Sequence, residues 1–486
     1  MSEPVAHIQF ALISHTNAGK TTLARTLIGM DVGEVRDAPH VTSLSESHVL
    51  LTSSAGDVLE LWDTPGFGDS VRLQKRLGSA DNPVGWFLRE VVDRYRDRPF
   101  WFSQQALRTA RESADVVLYL VNASEDPQDT GYLAPEMQIL QWLDKPVVIL
   151  LNQMGPPRPA AEEYAEEARW RQYLARYAVV REVITLDAFA RCWVHERVFF
   201  ETVGKVIAGD KQVGYGRLLK TWEQQNQSRL HASMALLARQ LSRAAQDSEA
   251  VEAADGPFDG RVFKAIGMGR EGQRKREAAA MEAMMARLQQ AGNDMTAGLL
   301  RLHKIDPGAA DKINQRVLDA FVVRAPVDTT KAGLLGAMVS GAATGLSADL
   351  LAGGLSFGAG ALIGGIVGAL GFAGAAWTVN ASTGDKTPSV RFSDVLLRSL
   401  VADALLRYLA VMHFGRGRGN FVQGEAPPFW QEEVETVVQA EQENLQQAWR
   451  ATLDARNAQD QGQSDAALAA ALTQATARLL ERLYPR

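Results

Sequence analysis

The stretch SHTNAGKT, at residues 14–21, decides how the first part of this chain folds. The apolar run HIQFALI, at residues 7–13, precedes it, and LARTLIGM, at residues 23–30, follows it with the composition of a helix. A strand, a polar loop and a helix in this order are typical of α/β folds with a mostly parallel sheet and flanking helices. Further strand-length apolar runs occur at residues 58–62, 116–122 and 147–152.

The chemistry of the quoted loop is the binding of anionic phosphate groups. Backbone N–H groups point inward in such a loop, Gly19 allows close approach, and Lys20 reaches the terminal phosphates. The hydroxyl of Thr21 is the expected Mg²⁺ ligand, whereas Ser14 departs from the usual glycine. The residues predicted to line the phosphates are Asn17, Ala18, Gly19, Lys20, Thr21 and Thr22. A chance match at a helix start is the alternative that companion motifs must exclude.

A second motif, DTPG at residues 63–66, follows the apolar run VLELW. The carboxylate of Asp63 can hold Mg²⁺ through water at a strand end, and the N–H of Gly66 can contact a γ-phosphate. By itself DTPG is also a common turn sequence. Between the two motifs, Thr42 is predicted to complete the Mg²⁺ shell, with Ser43 as the alternative. The predicted catalytic residues are therefore Lys20, Thr42 and Gly66.

With these motifs, residues 5–205 resemble the GTPases that include Era and TrmE. The resemblance implies a G domain that binds GTP and GDP with Mg²⁺. The family's base-recognition motif, Asn-Lys-x-Asp, falls on Asn152, Gln153 and Gly155, so two of its positions depart and weak discrimination between GTP and ATP is expected. The next base-contacting loop falls on residues 186–189, where the Ala188 amide is the expected contact. Asp187 would either replace the lost carboxylate or cap a helix.

Phe67 follows DTPG directly, at the place where Ras-like enzymes carry a water-orienting glutamine. A phenyl ring cannot orient water, so intrinsic turnover is expected to be slow without a partner or self-association. Some similar GTPases recruit K⁺ through a loop asparagine, and Asn17 occupies the matching position. The alternative role of Asn17 is a hydrogen bond that stabilises the loop.

Composition limits the remaining function classes. A chain of 486 residues exceeds a single core, and 46 % hydrophobic with 22 % charged residues is typical of a folded protein. The net charge of −6 disfavours broad nucleic-acid binding. One cysteine and an N-terminus without a signal-peptide pattern lead us to expect a cytoplasmic protein. The predicted domains are the G domain at 1–205, a helical region at 206–330, a glycine-rich segment at 331–380 and a C-terminal helical region at 381–486.

The glycine-rich segment is predicted to be a hydrophobic helical hairpin. Residues 350–379 carry no charge, and this uncharged run is longer than the roughly 20 residues needed to cross a bilayer. Glycines repeat every fourth residue at Gly360, Gly364 and Gly368, a spacing that lets helices pack closely as a glycine zipper. The expected partner is membrane lipid or an integral membrane protein at the cytoplasmic membrane. Burial of the hairpin within the helical region is the alternative.

The whole chain is similar to a bacterial family in which an Era-like G domain precedes a C-terminal domain of unknown function. The leading hypothesis is a membrane-associated GTPase switch. The alternatives are a soluble GTPase of RNA or ribosome assembly and a pseudo-GTPase scaffold, which the departures at Ser14, Gln153 and Gly155 favour.

Overall fold

A computed structural model provides the architecture of most of the chain. It describes residues 4–15, 18–28, 46–64, 66–67, 70–77, 98–152, 160–186, 193–251, 268–305, 377–380, 389–413, 429–455 and 457–484. The chain divides into two compact units, with the main boundary between Ser228 and Arg229.

The first unit is built on a six-stranded sheet. Its strands are β1 His7–Ser14, β2 Glu46–Thr52, β3 Val58–Asp63, β4 Val116–Asn122, β5 Val147–Asn152 and β6 Val180–Thr185. They lie in the order β2-β3-β1-β4-β5-β6, and every neighbouring pair is parallel except the antiparallel β2 and β3. The parallel strands bring the carboxyl ends of β1, β3 and β5 to one edge, where both predicted phosphate motifs and the base motif follow. The predicted α/β fold with a mostly parallel sheet is confirmed.

Helices cover both faces of this sheet. They are α1 Lys20–Ile28, α2 Ser70–Leu77, α3 Arg98–Ser113, α4 Leu133–Leu143, α5 Ala160–Leu174, α6 Trp193–Gly204 and the beginning of α7 Gln212–Gln246. One core joins α1, α6 and α7 to the sheet and includes Phe10, Leu23, Phe199 and Trp222. The other joins α2, α3, α4 and α5 to the opposite face and includes Ile13, Leu73, Leu107 and Trp170. Adjacent residues of β1 enter different cores because successive strand side chains point to opposite faces.

The opposite edge of the sheet, at the amino ends of the parallel strands, is held by ion pairs from the start of α7 and the turn before it. Lys211 Nζ donates to Asp115, at 2.7 Å from Oδ1, just before β4. Arg217 donates to both oxygens of Asp57, just before β3, at 2.6 and 2.7 Å. The first part of α7 is therefore anchored to the domain at the edge away from the phosphate motifs.

The second unit is mostly helical, as predicted. Beyond the last part of α7 its helices are α8 Met268–Leu302, α9 Asp394–Met412, α10 Phe429–Ala440, α11 Gln442–Asp454 and α12 Ala458–Leu483. Three short strands, β7 Ser248–Ala250, β8 Trp377–Asn380 and β9 Ser389–Phe392, form an antiparallel sheet in the order β7-β9-β8. Across the ranges given above, no helix is both long enough and apolar enough to cross a bilayer.

The prediction of a helical hairpin over residues 331–380 is wrong at its C-terminal end. Residues 331–376 lie outside the described residues, but 377–380 form strand β8, paired with β9. The run Trp377-Thr-Val consists of aromatic and β-branched residues, which favour strands over helices. The uncharged segment therefore does not end as helix.

Helix α9 buries a charged residue, Arg407. Every residue from Leu400 to His413 is buried, including Arg407. The guanidinium of Arg407 donates to Asp403 Oδ2 at 2.7 Å and to the hydroxyl of Thr296 at 2.8 Å. Burial raises the pKa of Asp403, and the neighbouring guanidinium opposes that shift. In the sequence, two charged residues four positions apart on a helix suggest an exposed face, although here they form a buried ion pair.

Candidate functional site

The phosphate-loop motif has the predicted strand–loop–helix context. β1 ends at Ser14 and α1 begins at Lys20, so the loop leads directly into a helix N-terminus, where free N–H groups favour anions. Gly19 has a φ of 87°, a left-handed conformation that side chains disfavour. Ser14 is the last residue of an extended strand, and among described non-glycine residues the positive φ values belong to Asp144 and Lys304. The conformation at Ser14 therefore does not require the usual glycine.

Lys20 and Asp63 meet at the centre of the site. The Nζ of Lys20 forms a hydrogen-bonded ion pair with Asp63 Oδ1, and both side chains are buried. They meet because Asp63 ends β3, which lies beside β1 with Leu12 opposite Asp63. The hydroxyl of Thr64 donates to the carbonyl of Leu12 at 2.7 Å and fixes the start of the DTPG segment. The sequence motifs, 43 residues apart, thus form one polar cluster.

This donor set fits a nucleotide phosphate with Mg²⁺. An ammonium group and a helix N-terminus suit phosphate oxygens, and a carboxylate beside them is a hard oxygen ligand of the kind Mg²⁺ prefers. The first turn of α1 contains Thr21, so the backbone places this predicted ligand beside Lys20. Thr22, predicted to line the phosphates, is buried. The carboxylate of Asp63, paired with Lys20, is thus a candidate Mg²⁺ ligand.

Gly66, the last residue of the DTPG segment, and Phe67, which follows it, lie beside the phosphate loop. The N–H of Phe67 donates to the carbonyl of Ser14 at 2.9 Å, and Phe67 pairs with His15 in an isolated parallel bridge. The phenyl ring is buried in the core between the sheet and α2 to α5. It is a packing residue, so it cannot orient a water molecule for attack. Gly66 is half-buried, and its carbonyl accepts a hydrogen bond from Ser103 at 3.4 Å.

Asn152, predicted to contact the base, is tied to the phosphate loop. It ends β5 and is fully buried, and its Nδ2 donates to the carbonyl of Ala18 at 2.8 Å. A side-chain donor on this carbonyl orients the peptide that leads into Gly19. The N–H of Leu186, the first residue of the second predicted base loop, donates to the carbonyl of Leu151 at 2.9 Å. Both base-motif positions therefore follow neighbouring strands at the same sheet edge.

Several predicted site residues lie outside the described residues. They are Asn17, Thr42, Gln153, Asp187 and Ala188, together with Gly155. Their predicted roles in binding the base, Mg²⁺ or K⁺ stay predictions.

Sequence reasoning missed two residues close to the phosphate loop, His15 and Glu136. The ring of His15 lies 2.6 Å from the fully buried carboxylate of Glu136 on α4. One signal was available, because Glu136 is the sole charged residue of the otherwise apolar helix LAPEMQILQWL. Its partner could not be identified, because the two residues are 121 positions apart.

Comparison with known proteins finds two family models that match successive parts of the chain. The family described as 50S ribosome-binding GTPase matches residues 9–153. The family described as domain of unknown function DUF3482 matches residues 171–484, which is more than half of the chain. The chain belongs to the DUF3482 family. In this DUF3482 protein the family region begins within α5 of the first unit, whose α/β domain resembles P-loop GTPases. No curated protein matches the chain.

Solved structures similar to this DUF3482 protein are distant in sequence. Era in complex with MgGDPNP and part of 16S ribosomal RNA is 18 % identical, with a TM-score of 0.30 over 42 % of this chain and 58 % of Era. Aquifex aeolicus Era bound to GDP·AlF4⁻ is 17 % identical, with a TM-score of 0.30 over 59 % of this chain and 88 % of that one. A probable GTP-binding protein, engB, is 16 % identical, with a TM-score of 0.25 over 41 % and 98 %. The chain thus spans less than two thirds of the first of these structures.

Proposed function

We propose that this protein is a molecular switch that binds GTP and hydrolyses it slowly. The observation that carries the proposal is the buried pair of Lys20 and Asp63 between the left-handed Gly19 and the end of β3. Burial of two opposite charges carries a desolvation cost, and a bound phosphate and Mg²⁺ would give each of them a further partner. The match of residues 9–153 to a GTPase family supports the same reading.

The roles of the residues follow from their positions. Mg²⁺, when bound with the nucleotide, would neutralise charge on the phosphates. Lys20 would exchange its contact with Asp63 for the β- and γ-phosphates, which leaves the carboxylate to orient the metal's water ligands. Asn152 holds the loop peptide at Ala18 in place. Because Phe67 is packed into the core, no side chain at that position activates water, so the basal turnover is slow.

A binding experiment tests the switch. Lys20→Ala should lower the affinity for Mg²⁺·GTP and Mg²⁺·GDP by at least a hundredfold in calorimetry, because it removes the buried cation that faces the phosphates. Lys220→Ala is the matched control, since Lys220 is exposed on α7 of the same unit, and it should leave affinity unchanged. Equal affinity in wild type and Lys20→Ala would remove the proposal. Tight binding without any hydrolysis would support the scaffold reading instead.

The second part of the proposal is that the C-terminal region associates with lipid or a membrane protein on the cytoplasmic side. The uncharged residues 350–379 support it, because an apolar surface of this size needs a cover of lipid, protein or another copy. Flotation on liposomes with GDP or a non-hydrolysable GTP analogue is the test. Deletion of residues 332–376, which spares strand β8, should abolish flotation. Absence of flotation in every nucleotide state would reject this part.

The description of the matched family as ribosome-binding favours a second candidate, a GTPase of ribosome assembly. Against it stands the net charge of −6, which disfavours contact with a phosphate backbone. Sedimentation with isolated 50S subunits in the presence of a GTP analogue distinguishes the two. Salt-sensitive co-sedimentation without flotation would replace the membrane proposal with the ribosomal one.

A further inference from the structure

A buried carboxylate lies directly behind the phosphate-binding loop. Glu136, on α4, has no exposed surface, and its Oε1 lies 2.6 Å from Nδ1 of His15. Its Oε2 accepts a hydrogen bond from the hydroxyl of Tyr119 on β4. The hydroxyl of Ser70, the first residue of α2, also hydrogen-bonds to this carboxylate. Three donors from three different elements thus converge on one acidic group.

The ring of His15 is held from a second side. It stacks on Tyr132, with 3.9 Å between ring centroids and 11° between the planes. The hydroxyl of Tyr132 in turn donates to Glu125 Oε2 at 2.6 Å. Because the ring is clamped between an aromatic face and a carboxylate, its position is defined although about 30 % of the side chain is exposed.

The buried carboxylate of Glu136 depends on its hydrogen-bond donors. Burial raises the pKa of Glu136, and the hydrogen bonds from His15, Tyr119 and Ser70 oppose that shift. Burial likewise raises the pKa of the Tyr119 hydroxyl, which therefore remains a neutral donor. A buried carboxylate is costly without such partners, so the three hydrogen bonds are part of what stabilises Glu136 in this position.

Glu136 joins two segments that the sequence assigns to phosphate binding. His15 belongs to the loop that binds the phosphates, and Ser70 follows shortly after Gly66, the predicted γ-phosphate contact. The backbone pairing of His15 with Phe67 joins the same two segments. The side-chain and backbone contacts therefore act together to set the distance between the phosphate loop and the segment that carries Gly66.

We propose that Glu136 and His15 are positioning residues for GTP hydrolysis, which set the phosphate loop relative to the segment that carries Gly66. The inference rests on the proposed function. Affinity for GDP depends on the phosphate loop and Lys20. Hydrolysis also depends on where the segment that carries Gly66 meets the γ-phosphate. A misplacement of about 1 Å can lower a rate about a hundredfold. Loss of the carboxylate should therefore lower turnover much more than GDP affinity.

The structure offers a matched control for plain destabilisation. Asp57 is equally buried and accepts hydrogen bonds from the side chains of Ser53 and Arg217 and from the N–H of Ala6. It lies at the opposite edge of the sheet. Asp57→Asn should weaken the fold in the same manner as Glu136→Gln, with no effect on the ratio of turnover to GDP affinity.

The experiment measures single-turnover GTP hydrolysis and the Kd for GDP on the full chain, at a temperature where all variants are folded. Glu136→Gln should lower the hydrolysis rate about tenfold and change the Kd for GDP by less than threefold. The reason is that the amide NH2 of Gln would face one of the three groups that donate to the carboxylate of Glu136, so that one hydrogen bond is lost. His15→Leu should behave in the same way. His15→Asn should recover most of the rate, since its amide N–H replaces the donor at Nδ1.

The outcomes separate this inference from the proposed function. If the wild-type protein binds and hydrolyses GTP, but Glu136→Gln and Asp57→Asn hydrolyse it at equal rates, the inference alone is overturned. Equal fractional losses of rate and affinity in Glu136→Gln would also overturn it, because they would indicate general destabilisation. Wild-type protein that binds no nucleotide would overturn the proposed function and the inference with it.

Discussion

Replacing Arg217 with methionine would remove the main partner of a fully buried carboxylate at the start of β3. The guanidinium donates to Asp57 through Nε and Nη2, at 2.7 and 2.6 Å, and keeps about 24 % of its side chain exposed. Methionine preserves most of the apolar stem of Arg217, so the packing along α7 is retained while the charge is lost. The change therefore isolates the ion pair.

The magnitude follows from the contacts that remain. Breaking a buried ion pair from one side costs about 3–5 kcal/mol. Asp57 keeps the hydrogen bonds from the hydroxyl of Ser53, at 2.6 Å, and the N–H of Ala6, at 2.9 Å. Because these donors and the partial exposure of Arg217 reduce the loss, we expect about 2 kcal/mol, or roughly a 30-fold larger opening equilibrium.

Hydrogen exchange followed by mass spectrometry is the suitable assay, because a chain with two units need not unfold in one step. Peptides from the β2–β3 hairpin should exchange about 30-fold faster in Arg217→Met. Arg287→Met is the control, since Arg287 also pairs with both oxygens of Asp247 but is about 46 % exposed. Its local effect should stay below about 1 kcal/mol, or roughly fivefold. Unchanged exchange of the hairpin in Arg217→Met would refute the reasoning.

Three further outcomes are expected. Hydrogen bonds from Arg217 hold the pKa of Asp57 well below its usual range, so hairpin protection should be complete above about pH 4 and fall at lower pH, whereas Asp57→Asn should flatten this dependence in the same exchange assay. Gly214→Ala should destabilise by about 1–3 kcal/mol in thermal unfolding, because its Cβ would lie 2.2 Å from that of Ala6, while Gly216→Ala, in open space, should not destabilise. Asn152→Ala should weaken GDP binding about tenfold in calorimetry, through loss of its hydrogen bond to the loop carbonyl.

The nucleotide site was predictable because its residues follow strands. Lys20 and Asp63 are distant in sequence, but each comes at or just after the carboxyl end of a parallel strand, and β1 and β3 are neighbours. Strand periodicity and motif position therefore predict that they meet. The departure at Ser14 looked more serious in sequence than in structure, since Ser14 is still part of the extended strand.

The buried charges outside the motifs were not predictable. Glu136 and Asp57 each depend on a side chain that is more than a hundred residues away, and Arg407 depends on Thr296 in the same manner. Hydropathy patterns assign a charged residue to the surface, because isolated charges are rarely buried. A long-range partner reverses that assignment, as at Arg407, which lies in the core. The strand β8 was missed for a different reason, since its few residues adjoin a glycine-rich segment of another character.

Two buried carboxylates of the first unit, Asp57 and Asp63, mark the two ends of strand β3. Asp57 and Asp63 flank β3, whose six residues span about 20 Å, so one end of the strand lies at the phosphate site and the other at the anchored start of α7. β3 pairs with β1 without a register shift, whereas β2 has an irregularity between Val49 and Leu51. A strand held in register over its full length cannot slide without breaking its whole ladder. We therefore expect any displacement of this hairpin on nucleotide binding to fall on β2, while β3 keeps its register beside β1.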